Sequence, residues 1–114
     1  MRSDADQGAL RDILRHIELA QRFTQSLTVE GFQEDELHLY AVTRCLEVIS
    51  EASRRLSEDL KARHPDIAWK EMAGAGNVYR HGYQDVAARR IWDTVQFSLP
   101  PLREVVEHEL KDDK

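Results

Sequence analysis

The chain has 114 residues, with 16 Lys and Arg against 21 Asp and Glu, a formal net charge of −5. That length builds one domain with one core but cannot by itself enclose a deep substrate cavity, so a site belongs in a surface groove or between subunits. At 41% hydrophobic and 32% charged residues the composition excludes a disordered chain. The acidity excludes a protein whose main task is to coat nucleic acid, while leaving room for a local basic site.

The start, MRSDADQGALRD, lacks the apolar core of a signal peptide. No apolar run approaches the roughly 20 residues of a membrane span. The expectation is a cytoplasmic protein without a membrane partner, a single domain over 1–114, with residues 1–8 and 111–114 frayed. From Ala9 to about Leu27, the residues Leu10, Ile13, Leu14, Ile17, Ala20 and Phe23 recur at three-and-four spacing, which predicts an amphipathic helix. Gly31 supplies a break. A longer helix is predicted from about Glu34 to Ala62, with Leu39, Val42, Leu46, Ile49, Ala52, Ser53, Leu56 and Leu60 on its inner face. Cys45 is the single cysteine and falls among these residues, so a buried, inert thiol is expected. Asp35 and His38 stand at i,i+3, but a di-iron site in a helical bundle needs a second such pair besides two further inward carboxylates, and the second pair is absent. No cysteine or histidine spacing resembles a metal site.

Pro65 stops the second helix, Asp66 is a candidate cap for the next, and Ile67 and Trp69 are candidate anchors. A third helix is predicted through GNVYRHGYQDV (76–86), and a fourth from near Asp85 through Val86, Ile91, Trp92, Val95 and Phe97. Pro100 and Pro101 are expected to interrupt it before a last stripe of Leu102, Val105, Val106 and Leu110. Nothing alternates with period two. The fold class is all-α: an antiparallel, up-and-down bundle of four to five helices.

The chemistry concentrates at 76–86. His81 can take or give a proton near neutral pH, with an unperturbed pKa of about 6.5. Arg80 adds a permanent cation whose planar fork fits phosphate, and Tyr83 a hydroxyl that can bond a phosphate or accept a group. Asn77 stands one turn before His81, and Asp85 one turn after it, where it can pair with the imidazole or cap a helix. Gly74 and Gly76 suit close helix packing. As a phosphate loop they lack the P-loop lysine and follow no strand. The remaining histidines, His16, His38, His64 and His108, read as surface or packing residues, and the groups Arg54–Arg55, Lys61–Arg63 and Arg89–Arg90 as solvated faces.

The segments RCLEVISEASRRL (44–56), HPDIAWKEMAGAGNVYRHGY (64–83) and IWDTVQFSLPPLREVV (91–106) resemble, in register, the HepT-like ribonuclease toxins of the HEPN superfamily. The resemblance spans about residues 9–110. It implies the toxin of a bacterial toxin–antitoxin pair: a metal-independent RNase without cofactor, acting on RNA as a homodimer with a groove built from both subunits. It also implies an antitoxin partner, a minimal nucleotidyltransferase that silences the toxin by attaching AMP to the motif tyrosine. The family signature is an arginine, four to six residues, then His-x-Tyr. By that pattern His81 is the motif histidine and Tyr83 the motif tyrosine and AMP acceptor. Asn77 matches the asparagine that follows the family arginine, and Glu51 the glutamate of the second-helix segment.

The arginine does not carry over: five residues before His81 stands Gly76. Arg80 is the cation within the motif. Positions 76 and 80 are about 40° apart around a helix, and helical side chains lean toward the N-terminus, so Arg80 is placed to project over the spot left open at Gly76. With the family arginine missing and Arg80 not serving in its place, the chain reads instead as a silent binding subunit for its nucleotidyltransferase, or as a structural dimer.

Overall fold

The computed structural model describes residues 4–75 and 84–112. Every element among them is helical: α1 Asp4–Thr24, α2 Val29–Gln33, α3 Glu36–Arg55, α4 Glu58–Ala62, α5 Trp69–Gly74, α6 Gln84–Asp93, a π-helical turn Thr94–Ser98, and α7 Leu99–Asp112. They form the expected helical bundle. The long helices α1 and α3 pack along each other as its spine, α7 lies against α1, α5 against α3, and α2 against α6.

The core follows the three-and-four stripes. Leu10, Ile13, Ile17 and Ala20 of α1 meet Leu39, Val42, Leu46, Ile49 and Ala52 of α3, all essentially inaccessible. Burying each large aliphatic among them contributes about 1.5–3 kcal/mol. Leu14 and Phe23 pack at the margin of this core rather than inside it. Phe32 of α2 is fully buried, its ring 5.5 Å from that of Trp92 on α6.

Several helix boundaries differ from expectation. α1 begins at Asp4, within the stretch expected to fray, because Asp6 is buried and its carboxylate receives both the backbone N–H and the hydroxyl of Ser57, at 2.8 and 2.7 Å. The same contact splits the long second helix. Ser57 leaves the helical conformation and caps α4, accepting from the Leu60 N–H, so that α3 ends at Arg55. Gly31 is not the break: it lies within α2, whose first turn is capped by Thr28 Oγ1 at 3.0 Å. Asp35 then caps α3 by accepting from the His38 N–H, which is the role those two residues play here. Asp66 does not cap α5, whose N-cap is Ala68 without a side-chain bond.

The prolines do not interrupt the last helix. Pro100 and Pro101 fall in the first turn of α7, and the preceding turn widens to a π-helix in which the Leu99 N–H reaches back to Thr94 O. The widening accommodates two residues that lack an N–H and whose rings would crowd the carbonyls one turn earlier. It also shifts the helical register, so Phe97, expected on the inner face, is 74% exposed.

Candidate functional site

Of the residues that carry the sequence argument, Asn77, Arg80, His81 and Tyr83 lie outside the described residues. Asp85 has its backbone in the first turn of α6. Glu51 is described in full, on the exposed face of α3. What the structure shows is the frame that receives the motif, from the end of α5 at Ala75 to the start of α6 at Gln84, and how α3 meets it.

α5 is six residues long and has no side-chain cap at its start. A helix that short does not hold itself. Its start is tethered through Trp69, whose indole N–H lies 3.1 Å from Lys61 O and 3.0 Å from His64 O. Its end is held by α3. Ser50 donates its hydroxyl to Met72 O at 3.0 Å, and Arg54 donates Nη1 to Ala73 O at 2.5 Å. Two consecutive carbonyls of the last turn of α5 thus find side-chain partners on a neighbouring helix, Met72 O in addition to the Ala75 N–H. Glu51 completes the arrangement, its Oε2 accepting from Arg54 Nη2 at 2.9 Å. The supporting glutamate of the sequence reading therefore contacts an arginine that the sequence reading assigned to a solvated face. Spacing alone gave only one signal: Glu51 and Arg54 stand at i,i+3. The adjacent Arg55 points elsewhere, pairing with Asp12 of α1 at 3.0 Å.

Beside this clamp runs a groove of about 650 Å³. Ile67, Met72 and Ala75 form one wall and Arg90, Thr94 and Phe97 the other, so the widened π turn lines it. Asp66, Glu71 and Asp93 also border it, and Asp93 lies 3.9 Å from Arg89. Its mouth reaches Gly74 and Ala75, directly ahead of the motif.

A second polar cluster lies at the α4–α7 end. Buried Glu109 accepts from Arg63 Nε and Nη2, at 3.3 and 3.0 Å, and lies 2.6 Å from His64 Nε2. The bond from Arg63 to this carboxylate, more than anything else, keeps the guanidinium pKa above its ordinary value. Cys45 is buried, and burial pushes its thiol up to about 11. Among the described residues no group of three His, Cys, Asp or Glu side chains is placed to hold a metal ion. None of the described helices is long and apolar enough to cross a membrane.

The family whose description reads "Ribonuclease HepT-like" matches residues 13–109. The chain belongs to the HepT-like ribonuclease family. It is 40% identical to "Probable ribonuclease HepT" of Thermococcus cleftensis over 94 residues, 82% of this chain and 86% of that protein. A Methanocaldococcus jannaschii protein named as a candidate RNase is 34% identical over 103 residues, 90% of this chain and 85% of its own length. A candidate RNase of Caldanaerobacter subterraneus is 31% identical over 105 residues, 92% of this chain and 94% of its own. No solved structure gives a significant match to the chain. Residues 76–86 lie wholly inside the matched span.

Proposed function

We propose that this HepT-like protein is the toxin of a toxin–antitoxin pair, a metal-independent endoribonuclease whose site is completed in a homodimer. The observation that carries the reading is the Arg80-His81-x-Tyr83 run in a chain of a ribonuclease family, at the point where α3 braces the backbone leading into it. In the proposed reaction the ribose 2′-oxygen attacks phosphorus, His81 moves the proton at that oxygen or at the leaving 5′-oxygen, and the P–O5′ bond breaks. The products are a 2′,3′-cyclic phosphate and a 5′-hydroxyl. Arg80 stabilises the added negative charge on the phosphorus centre, and Tyr83 positions the phosphate. Asn77 and Asp85, four residues before and after it in the sequence, support the histidine. A twofold axis brings two such motifs together and makes a basic groove on an acidic protein. Leu37 and Tyr40, 76% and 58% exposed on the helix that carries Glu51, offer apolar surface for that contact.

The partner in this reading is a minimal nucleotidyltransferase, which silences the toxin by transferring AMP to the Tyr83 hydroxyl. Gly76, standing where the family has its arginine, favours a second reading, in which the chain is a silent binding subunit of that partner. Cleavage of a synthetic RNA in the presence of chelator separates the two. The nuclease reading expects cyclic-phosphate ends and loss of cleavage in His81→Ala. Intact protein that leaves the RNA whole, yet gains one adenylyl group on Tyr83 when co-expressed with the nucleotidyltransferase encoded beside it, establishes the binding subunit instead.

A further inference from the structure

The proposed reaction leaves Arg54 without a task. Its position is nonetheless unusual among the cations of α3: Arg44 pairs with Glu47 and Arg55 with Asp12, both between side chains, whereas Arg54 spends one nitrogen on a backbone carbonyl of another helix. That carbonyl belongs to Ala73, three residues before Gly76, and the second nitrogen is held by Glu51. The neighbouring bond, from Ser50 to Met72 O, is buried and belongs to the packing of α5 on α3. The Arg54 bond is different in kind, because its side chain is 49% exposed and Glu51 62% exposed. Exposed ion pairs add little to global stability. A charge-assisted bond at the C-terminal end of a short helix, where partial negative charge collects, still defines where that end points.

We propose that Arg54 is a positioning residue of the ribonuclease site. Oriented by Glu51, it clamps the Ala73 carbonyl and sets the direction in which the backbone leaves α5 toward His81, without touching RNA itself. The proposal rests on the nuclease reading of His81 for its kinetic consequence, but not for its structural one. It also gives Glu51 a definite role, holding the guanidinium rather than meeting the substrate.

The test uses the purified full chain with a synthetic RNA, comparing Arg54→Ala, Arg54→Lys and Glu51→Gln. A displaced reacting group lowers turnover, so Arg54→Ala is expected to reduce kcat by about ten- to a hundredfold while KM stays within about twofold. Lys, which keeps the charge and one donor but not the fork, restores part of the loss. Glu51→Gln acts in the same direction, and adding it to Arg54→Ala lowers kcat little further, because both changes break one device. Hydrogen exchange supplies a reading independent of activity: amides of Trp69–Ala75 exchange faster in Arg54→Ala, while those of α1 and α7 keep the parent rates. A rise in KM with kcat unchanged overturns the proposal by placing Arg54 on the RNA. Unchanged exchange at Trp69–Ala75, or faster exchange throughout the bundle, overturns it as well. If the parent shows no His81-dependent cleavage the nuclease reading falls, and the exchange result alone decides whether Arg54 positions this segment.

Discussion

Glu109 of α7 and His64, just beyond α4, meet at 2.6 Å between carboxylate and imidazole Nε2, with Arg63 on the same carboxylate. The pair ties the last helix to the connection that leads into α5. Because Glu109 is buried while Arg63 is half exposed, Glu109→Ala removes the acceptor for both donors and leaves His64 in a largely enclosed place. The expected loss is about 1–3 kcal/mol, discounted for the exposed guanidinium. Urea unfolding checks it, and a midpoint equal to the parent's would show that the cluster contributes nothing.

The buried Asp6 carboxylate joins the start of α1 to the N-cap of α4. Asp6→Asn keeps the shape but weakens both bonds to Ser57, so α4 loses the anchor of its N-cap. We expect a loss of about 1–2 kcal/mol. Truncation before Gly8 is expected to destabilise by at least as much, which a thermal melt of the shortened chain measures directly; a fully frayed terminus would leave the melt unmoved.

Cys45 gives a pH prediction with a definite sign. Burial raises its thiol from 9.0 to about 11, so the folded state holds the proton more tightly than the unfolded state. The stability this contributes is fully present below pH 9 and is lost as pH rises toward about 11. The difference in urea midpoint between the parent and Cys45→Ala should therefore narrow between those values. In native protein at neutral pH the thiol should resist alkylation, and it should react at once after denaturation. Rapid native labelling at neutral pH would contradict the buried placement.

The displaced cation can be tested by moving it back. Arg80→Ala is expected to reduce RNA cleavage by about a hundredfold, the scale on which one donor to a developing anion acts. Adding Gly76→Arg to that variant should recover much of the loss, because the guanidinium returns to the position where the family has its arginine. An Arg80→Ala variant that cleaves like the parent would show that the phosphate is served by another group.

Three-and-four apolar spacing was enough to read the bundle, since burial of one stripe per helix is a property of the periodicity: Leu10, Ile13 and Ile17, and Leu39, Val42, Leu46 and Ile49, needed no further information to be placed inside. The cluster of functional groups at 76–86 stands out in the sequence for the same reason of locality; Asn77, Arg80, His81 and Tyr83 lie outside the described residues, and their role belongs to the proposed function. Helix ends were not local. Asp6 and Ser57 stand 51 residues apart, yet their contact decides both where α1 starts and where α3 stops. The π turn ahead of Pro100 and Pro101 turns Phe97 outward, which no 3.6-residue period anticipates. Arg54 and Arg55 are indistinguishable as letters in a basic pair, but helix geometry sends them about 100° apart, one to Ala73 and the other to Asp12. Local spacing thus determined which faces are buried and which residues can do chemistry. Contacts between residues distant in sequence decided where α1 starts and α3 stops, and which side chain braces the end of α5.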